Sequence, residues 1–144
     1  MKLPLKWIAV LLTMFTCAGI ASAADEDVKA ATDAAQQWLA LVDAGKYAES
    51  WDQASSSFKE HVTKDQWQQA LNNVRDPLGK VESRQFKAAE FKTELPKAGP
   101  GKYVVIQYGT KFANGGPTLE TITLILDKDG MWRAVGYLIK PETD

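Results

Sequence analysis

Near Lys80 the spacing of apolar residues changes from three-and-four to two, and it changes only once. Helical side chains return to one face every three or four residues, and strand side chains alternate. A chain with one such change has its helices first and its strands after. Before the change, Val28, Ala31, Ala35, Trp38 and Val42 share one helical face. Asp25, Glu26 and Asp27 stand where acids favour a helix N-terminus, and Gly45 is placed to end the helix. Tyr47, Trp51, Ala54 and Phe58 make a second face, weakened by Ser55-Ser56-Ser57. Thr63 with Gln66 is a capping box that opens a third helix with the stripe Trp67, Ala70, Leu71 and Val74. Pro77 disfavours helix at Asp76, which predicts an end by Arg75.

After the change, Lys80 to Leu95 alternates with one fault. Glu82, Arg84, Phe86 and Ala88 share one phase, and Ala89, Phe91, Thr93 and Leu95 continue in the other, as a β-bulge would make them. A turn-rich stretch, Pro96 to Gly101, leads to a strand over Lys102 to Phe112. Asn114-Gly115-Gly116-Pro117 and Asp127-Lys128-Asp129-Gly130 are turn signals on either side of a strand over Thr118 to Leu126, and Met131 to Ile139 is the fourth strand. Short connections between successive strands imply an antiparallel meander. The expected fold is α+β: three N-terminal helices packed on one face of a curved four-stranded antiparallel sheet.

The first two dozen residues read differently. Lys2 and Lys6 form a positive start, Ile8 to Ala18 is an apolar run, and Ala21-Ser22-Ala23 offers small residues to a signal peptidase. The run is shorter than the roughly 20 residues of a spanning helix. The expectation is a signal peptide over 1–23 and a single α+β domain over 24–144, periplasmic or secreted. A lipid anchor on Cys17 is the lesser alternative, since Met14-Phe15-Thr16 fits a lipoprotein signal poorly.

Cleavage after Ala23 would shorten the chain from 144 to 121 residues and remove its one cysteine. Disulfides, thiolate metal sites and thiol nucleophiles would then be excluded. Loss of Lys2 and Lys6 leaves 15 basic residues against 18 acidic ones, a net charge of −3. That balance argues against nucleic acid or an anionic membrane as the main partner.

The motifs Trp67…Arg75-Asp76-Pro77-Leu78-Gly79…Ser83-Arg84, Gly101-Lys102-Tyr103, Glu120-Thr121-Ile122-Thr123, Asp129-Gly130-Met131-Trp132-Arg133 and Gly136-Tyr137 occur in that order. Together they resemble a bacterial exported family known only as domain of unknown function 4019. The helix-then-sheet order resembles the cystatin-like or nuclear-transport-factor-2-like cone fold. The resemblance implies a fold and a compartment. It carries no activity and no catalytic residues.

The chemistry legible in the residues is sparse. The single histidine, His61, lies in the polar run Lys59-Glu60-His61-Val62 and reads as solvated, so no metal site and no cofactor are expected. Ser55, Ser56 and Ser57 lack the context of a nucleophile, and the paired glycines precede no phosphate-binding helix. Arg84 is in phase with Phe86 and should turn towards the helices, where it needs a partner. Glu120, in phase with Ile122 and Leu124, is that partner, and Tyr108, in phase with Val104 and Ile106, brings a hydroxyl near. Arg84, Tyr108 and Glu120 are read either as a buried pair that fixes strand register or as the polar lining of a ligand pocket.

The leading function is a non-enzymatic module that binds a small molecule or an envelope protein. The alternative is a small isomerase- or hydrolase-type enzyme on the same fold. Strand three is apolar on both phases, with Leu119 and Ile125 opposite Ile122 and Leu124, so a homodimer through the outer sheet face is also expected.

Overall fold

A computed structural model describes residues 21–143. The expected signal peptide lies almost wholly outside them, as does Cys17. Four helices come first: α1 (Ala23–Asp43), α2 (Tyr47–Asp52), α3 (Ser56–His61) and α4 (Lys64–Leu78). Four strands follow: β1 (Val81–Leu95), β2 (Gly99–Phe112), β3 (Pro117–Leu126) and β4 (Trp132–Pro141). They form one antiparallel sheet in the order β1-β2-β3-β4. The architecture is α+β with a four-stranded antiparallel open sheet. Among the described residues no helix is long and apolar enough to cross a membrane.

The helix count differs from expectation. The second helix is split, because Ser55 leaves helical geometry and its hydroxyl accepts the Phe58 N–H at 3.1 Å, starting α3 afresh. A serine that satisfies a new helix start cannot also continue the old one. The end of α4 also differs. Pro77 sits inside the last turn and the helix runs to Leu78. The carbonyl that loses its donor there belongs to exposed Asn73, where water can replace it. Gly79 then turns the chain with φ 74°, a conformation that favours glycine. The capping box of Thr63 and Gln66 is present.

The α1 stripe is as expected, with Ala31, Ala35, Trp38 and Val42 buried. The α4 stripe is displaced. Ala70 is exposed, Val74 is 47 % exposed, and the buried face is Trp67, Leu71 and Arg75. These lie four residues apart, so a strict i+4 row carries the contact.

In the sheet, Val104, Ile106, Tyr108, Thr110 and Phe112 of β2 point to the helices with Thr118, Glu120, Ile122 and Leu124 of β3. Helix α1 crosses this face and touches all four strands, α3 meets β4, and α4 packs on α2. Strand β1 has three register shifts rather than the one expected, between Val81 and Ser83, Phe86 and Ala88, and Lys92 and Glu94, and the middle one falls one step earlier than the expected slip. Phe86 therefore shares a face with its partner Tyr108, while Ala88 pairs with Gln107 on the outer face. Phe86 is nevertheless 57 % exposed, because β1 is the edge strand. The first hairpin is tighter than expected: Gly99 and Pro100 already pair with Leu95 and Glu94, leaving three residues in the turn.

Candidate functional site

All four helices and all four strands send side chains to the interior. Trp38 and Trp67 lie with ring centroids 5.9 Å apart, and Tyr137 meets Trp38 edge-on at 5.5 Å. Phe58 meets the other face of this cluster, 5.1 Å from Trp67. The indole N–H of Trp38 donates to the Ser50 carbonyl at 2.8 Å and that of Trp67 to the Ser50 hydroxyl at 2.9 Å. The space enclosed by Trp38, Phe58, Trp67 and Tyr137 is too small for a water molecule.

Beside these rings lies a buried ionic network. Glu120 is fully buried. Arg84 Nε donates to its Oε1 at 2.8 Å, and the Thr110 and Tyr137 hydroxyls donate to it as well. Arg84 also grips Asp43 with two bonds, 2.7 and 3.0 Å. Arg75, 4 % exposed, donates to Asp43 at 2.9 Å and to the Tyr137 hydroxyl at 3.2 Å. Its guanidinium lies over the Phe112 ring, 4.9 Å from the centroid. Two arginines face two carboxylates, so the cluster is neutral.

The network shifts the groups that form it. Burial works against the Asp43 charge, but the hydrogen bonds and charges of Arg84 and then Arg75 outweigh it and hold Asp43 below the usual carboxylate range. Burial, reinforced by the Glu120 charge, pushes the Tyr137 hydroxyl far above its ordinary value. Burial also opposes the Arg84 charge, and Asp43 and Glu120 more than restore it.

The Asp43 shift has a consequence in acid. A carboxylate whose folded pKa is depressed contributes stability that is present above its unfolded value, about 3.9, and lost as pH falls through the folded value. Wild-type protein should lose stability below about pH 4, and Asp43→Asn should show a shallower loss over that window. Urea midpoints measured from pH 7 to pH 2 check this. Equal slopes for both proteins would remove Asp43 from the acid limb.

The three residues singled out from sequence are therefore adjacent. Glu120 and Arg84 are bonded, and Tyr108 is the cross-strand neighbour of Glu120. The Tyr108 hydroxyl is buried without a hydrogen-bond partner, and the hydroxyls that reach Glu120 are those of Tyr137 and Thr110. Sequence reading missed Asp43, Thr110, Arg75 and Tyr137. Two of them had a signal: Asp43 extends the i+4 row Ala35-Leu39, and Arg75 extends Trp67-Leu71. His61 is exposed, with Nδ1 2.8 Å from the Ser57 carbonyl. Among the described residues no group of three or more His, Cys, Asp or Glu could hold a metal ion.

Away from the network, between α1, α2 and the start of β4, an open groove of about 390 Å³ is lined by Ala34, Trp38, Leu41, Met131, Trp132 and Ala134, with Gln37, Glu49, Asp52, Gln53 and Arg133 at its polar margin. The turn between β3 and β4 positions Met131 there, with the Asp127 N–H donating to the Met131 carbonyl at 2.9 Å. Asp127 in turn holds the start of α3 through the Ser56 N–H and hydroxyl, at 2.8 and 2.7 Å.

A family model described as protein of unknown function (DUF4019) matches residues 34–137. The matched span includes the whole network from Asp43 to Tyr137 and the groove from Ala34 to Ala134. No curated protein matches the chain.

Proposed function

The chain belongs to the DUF4019 family, proteins of unknown function, and from its geometry we propose that it is an exported, non-enzymatic binding module. Its ligand, a small molecule or a segment of an envelope protein, sits in the groove between α1, α2 and β4. The observation that carries the reading is the contrast between the two polar regions of the molecule. The carboxylate of Glu120 has no exposed surface and has Arg84, Thr110 and Tyr137 bonded to it. An acid–base catalyst needs an accessible group within reach of substrate. The groove, by contrast, is open, mostly apolar and edged by polar side chains, at the small end of the roughly 300–1,000 Å³ range of ligand sites. Export rests on the Lys2–Lys6 start, the apolar run and the Ala21-Ser22-Ala23 site. A cone-like, nuclear-transport-factor-2-like architecture belongs to the same reading, since helices on one face of a meander leave such a groove at the end of the sheet.

The test uses protein recovered after secretion, whose intact mass should match a chain beginning at Ala24. The ¹⁵N-labelled protein is titrated with a mixture of acetylated tripeptides and small sugars. Shifts should be confined to Gln37, Glu49, Gln53 and Met131 to Ala134. Met131→Ser, at a side chain 57 % exposed, should weaken binding about ten-fold, as loss of a buried apolar contact implies, with an unchanged melting temperature. Shifts centred on Tyr137 and Glu120, or turnover of any component, would favour an enzyme instead.

A further inference from the structure

The charges around the groove are unequally satisfied. Three charged side chains line it. Asp52 is paired with Lys64 at 2.7 Å, and Arg133 with Asp129 at 2.6 Å. Glu49, exposed on the first turn of α2, is in no ion pair among the described residues. The groove therefore offers a ligand one uncompensated negative charge.

Its apolar part points to the same complement. The Trp38 N–H is already donated to the Ser50 carbonyl and its ring is nearly buried, so the indole surface open to a ligand is mainly that of half-buried Trp132. An indole face attracts a cation and covers an alkyl chain equally well. Met131 and Leu41 add flexible apolar contact. Gln37 and Gln53, both exposed at the margin, carry amides that can donate to and accept from a peptide backbone. An anionic ligand would be repelled by Glu49, and a neutral one would leave it unanswered.

Resting on the binding reading above, we infer that the groove takes a short basic–apolar peptide segment of a partner protein. A Lys or Arg side chain faces Glu49. The neighbouring apolar side chain lies against Met131, Leu41 and Trp132, and the peptide backbone pairs with Gln37 and Gln53. This arrangement gives partners to Glu49, Gln37 and Gln53.

The experiment titrates the ¹⁵N-labelled protein with acetylated, amidated Leu-Lys-Leu, Leu-Gln-Leu and Leu-Glu-Leu, and with cadaverine as a bare diamine. Leu-Lys-Leu should bind most tightly and move Gln37, Glu49, Gln53 and Met131 to Ala134. Glu49→Gln should weaken it about 1.5- to five-fold, the range of an exposed ion pair. Added salt should weaken it in wild type and have less effect in Glu49→Gln. Equal binding of Leu-Gln-Leu or Leu-Glu-Leu at the same residues would overturn the basic preference and leave the groove standing. Cadaverine matching Leu-Lys-Leu would overturn the peptide. If no tripeptide moves the groove while a sugar does, the inference falls and the binding site survives. If no probe moves it, both fall.

Discussion

Arg84→Ala should cost the domain roughly 3–5 kcal/mol of folding stability, the usual penalty for breaking a buried ion pair from one side. The substitution leaves two carboxylates facing one arginine. Glu120 has no exposed surface through which to recover hydration. Its remaining donors, Thr110 and Tyr137, are neutral hydroxyls. Asp43 keeps Arg75 and suffers less. Urea denaturation at neutral pH measures the loss. The double variant Arg84→Met with Glu120→Gln removes both charges together and should recover part of it, because a buried pair contributes little net stability over neutral groups of like size. If the single variant lost less than about 1 kcal/mol, the value of a surface pair, the cluster would be hydrated and the buried-pair reading would fail.

Trp38→Ala should be comparably severe, at about 3–5 kcal/mol. Trp38 is 5 % exposed and touches both Trp67 and Tyr137. Its removal opens a void beside the space between Trp38, Phe58, Trp67 and Tyr137, which is too small for water, and strips the Ser50 carbonyl of its donor. Trp38→Phe refills most of the volume without the N–H and should lose clearly less. The two variants, compared by calorimetry, separate volume from hydrogen bonding. Equal losses would mean that the Ser50 contact carries the effect.

The overall order of elements was legible because periodicity survives tertiary packing when an element is long. The α1 face and the inward phases of β2 and β3 follow from spacing alone, and so does the bond between Arg84 and Glu120. The rest depended on features that spacing does not encode. A polar residue on an apolar row reads as a break, so Arg75 was passed over in favour of Val74, although burial of Arg75 is made possible by Asp43 and by the Phe112 ring. Ser55 looked like a weak point inside one helix and instead separates two. Tyr137 stood only in the Gly136-Tyr137 motif, which gives no hint that its ring packs on the core while its hydroxyl meets a carboxylate. The groove could not be read at all, since it exists only where α1, α2 and the last turn converge.

The ionic network also sets a timetable. Its members lie on α1, α4, β1, β2, β3 and β4, and Tyr137 comes from the last of these. A nascent chain emerges from its N-terminal end, so Asp43 waits for the whole of the sheet before its surroundings are complete. Until β4 is made, Arg75 and Arg84 have no closed site to enter, and leaving them in water is cheaper than burying them half-paired. Completion of the network therefore depends on the last strand, which supplies the Tyr137 hydroxyl to Glu120 and Arg75.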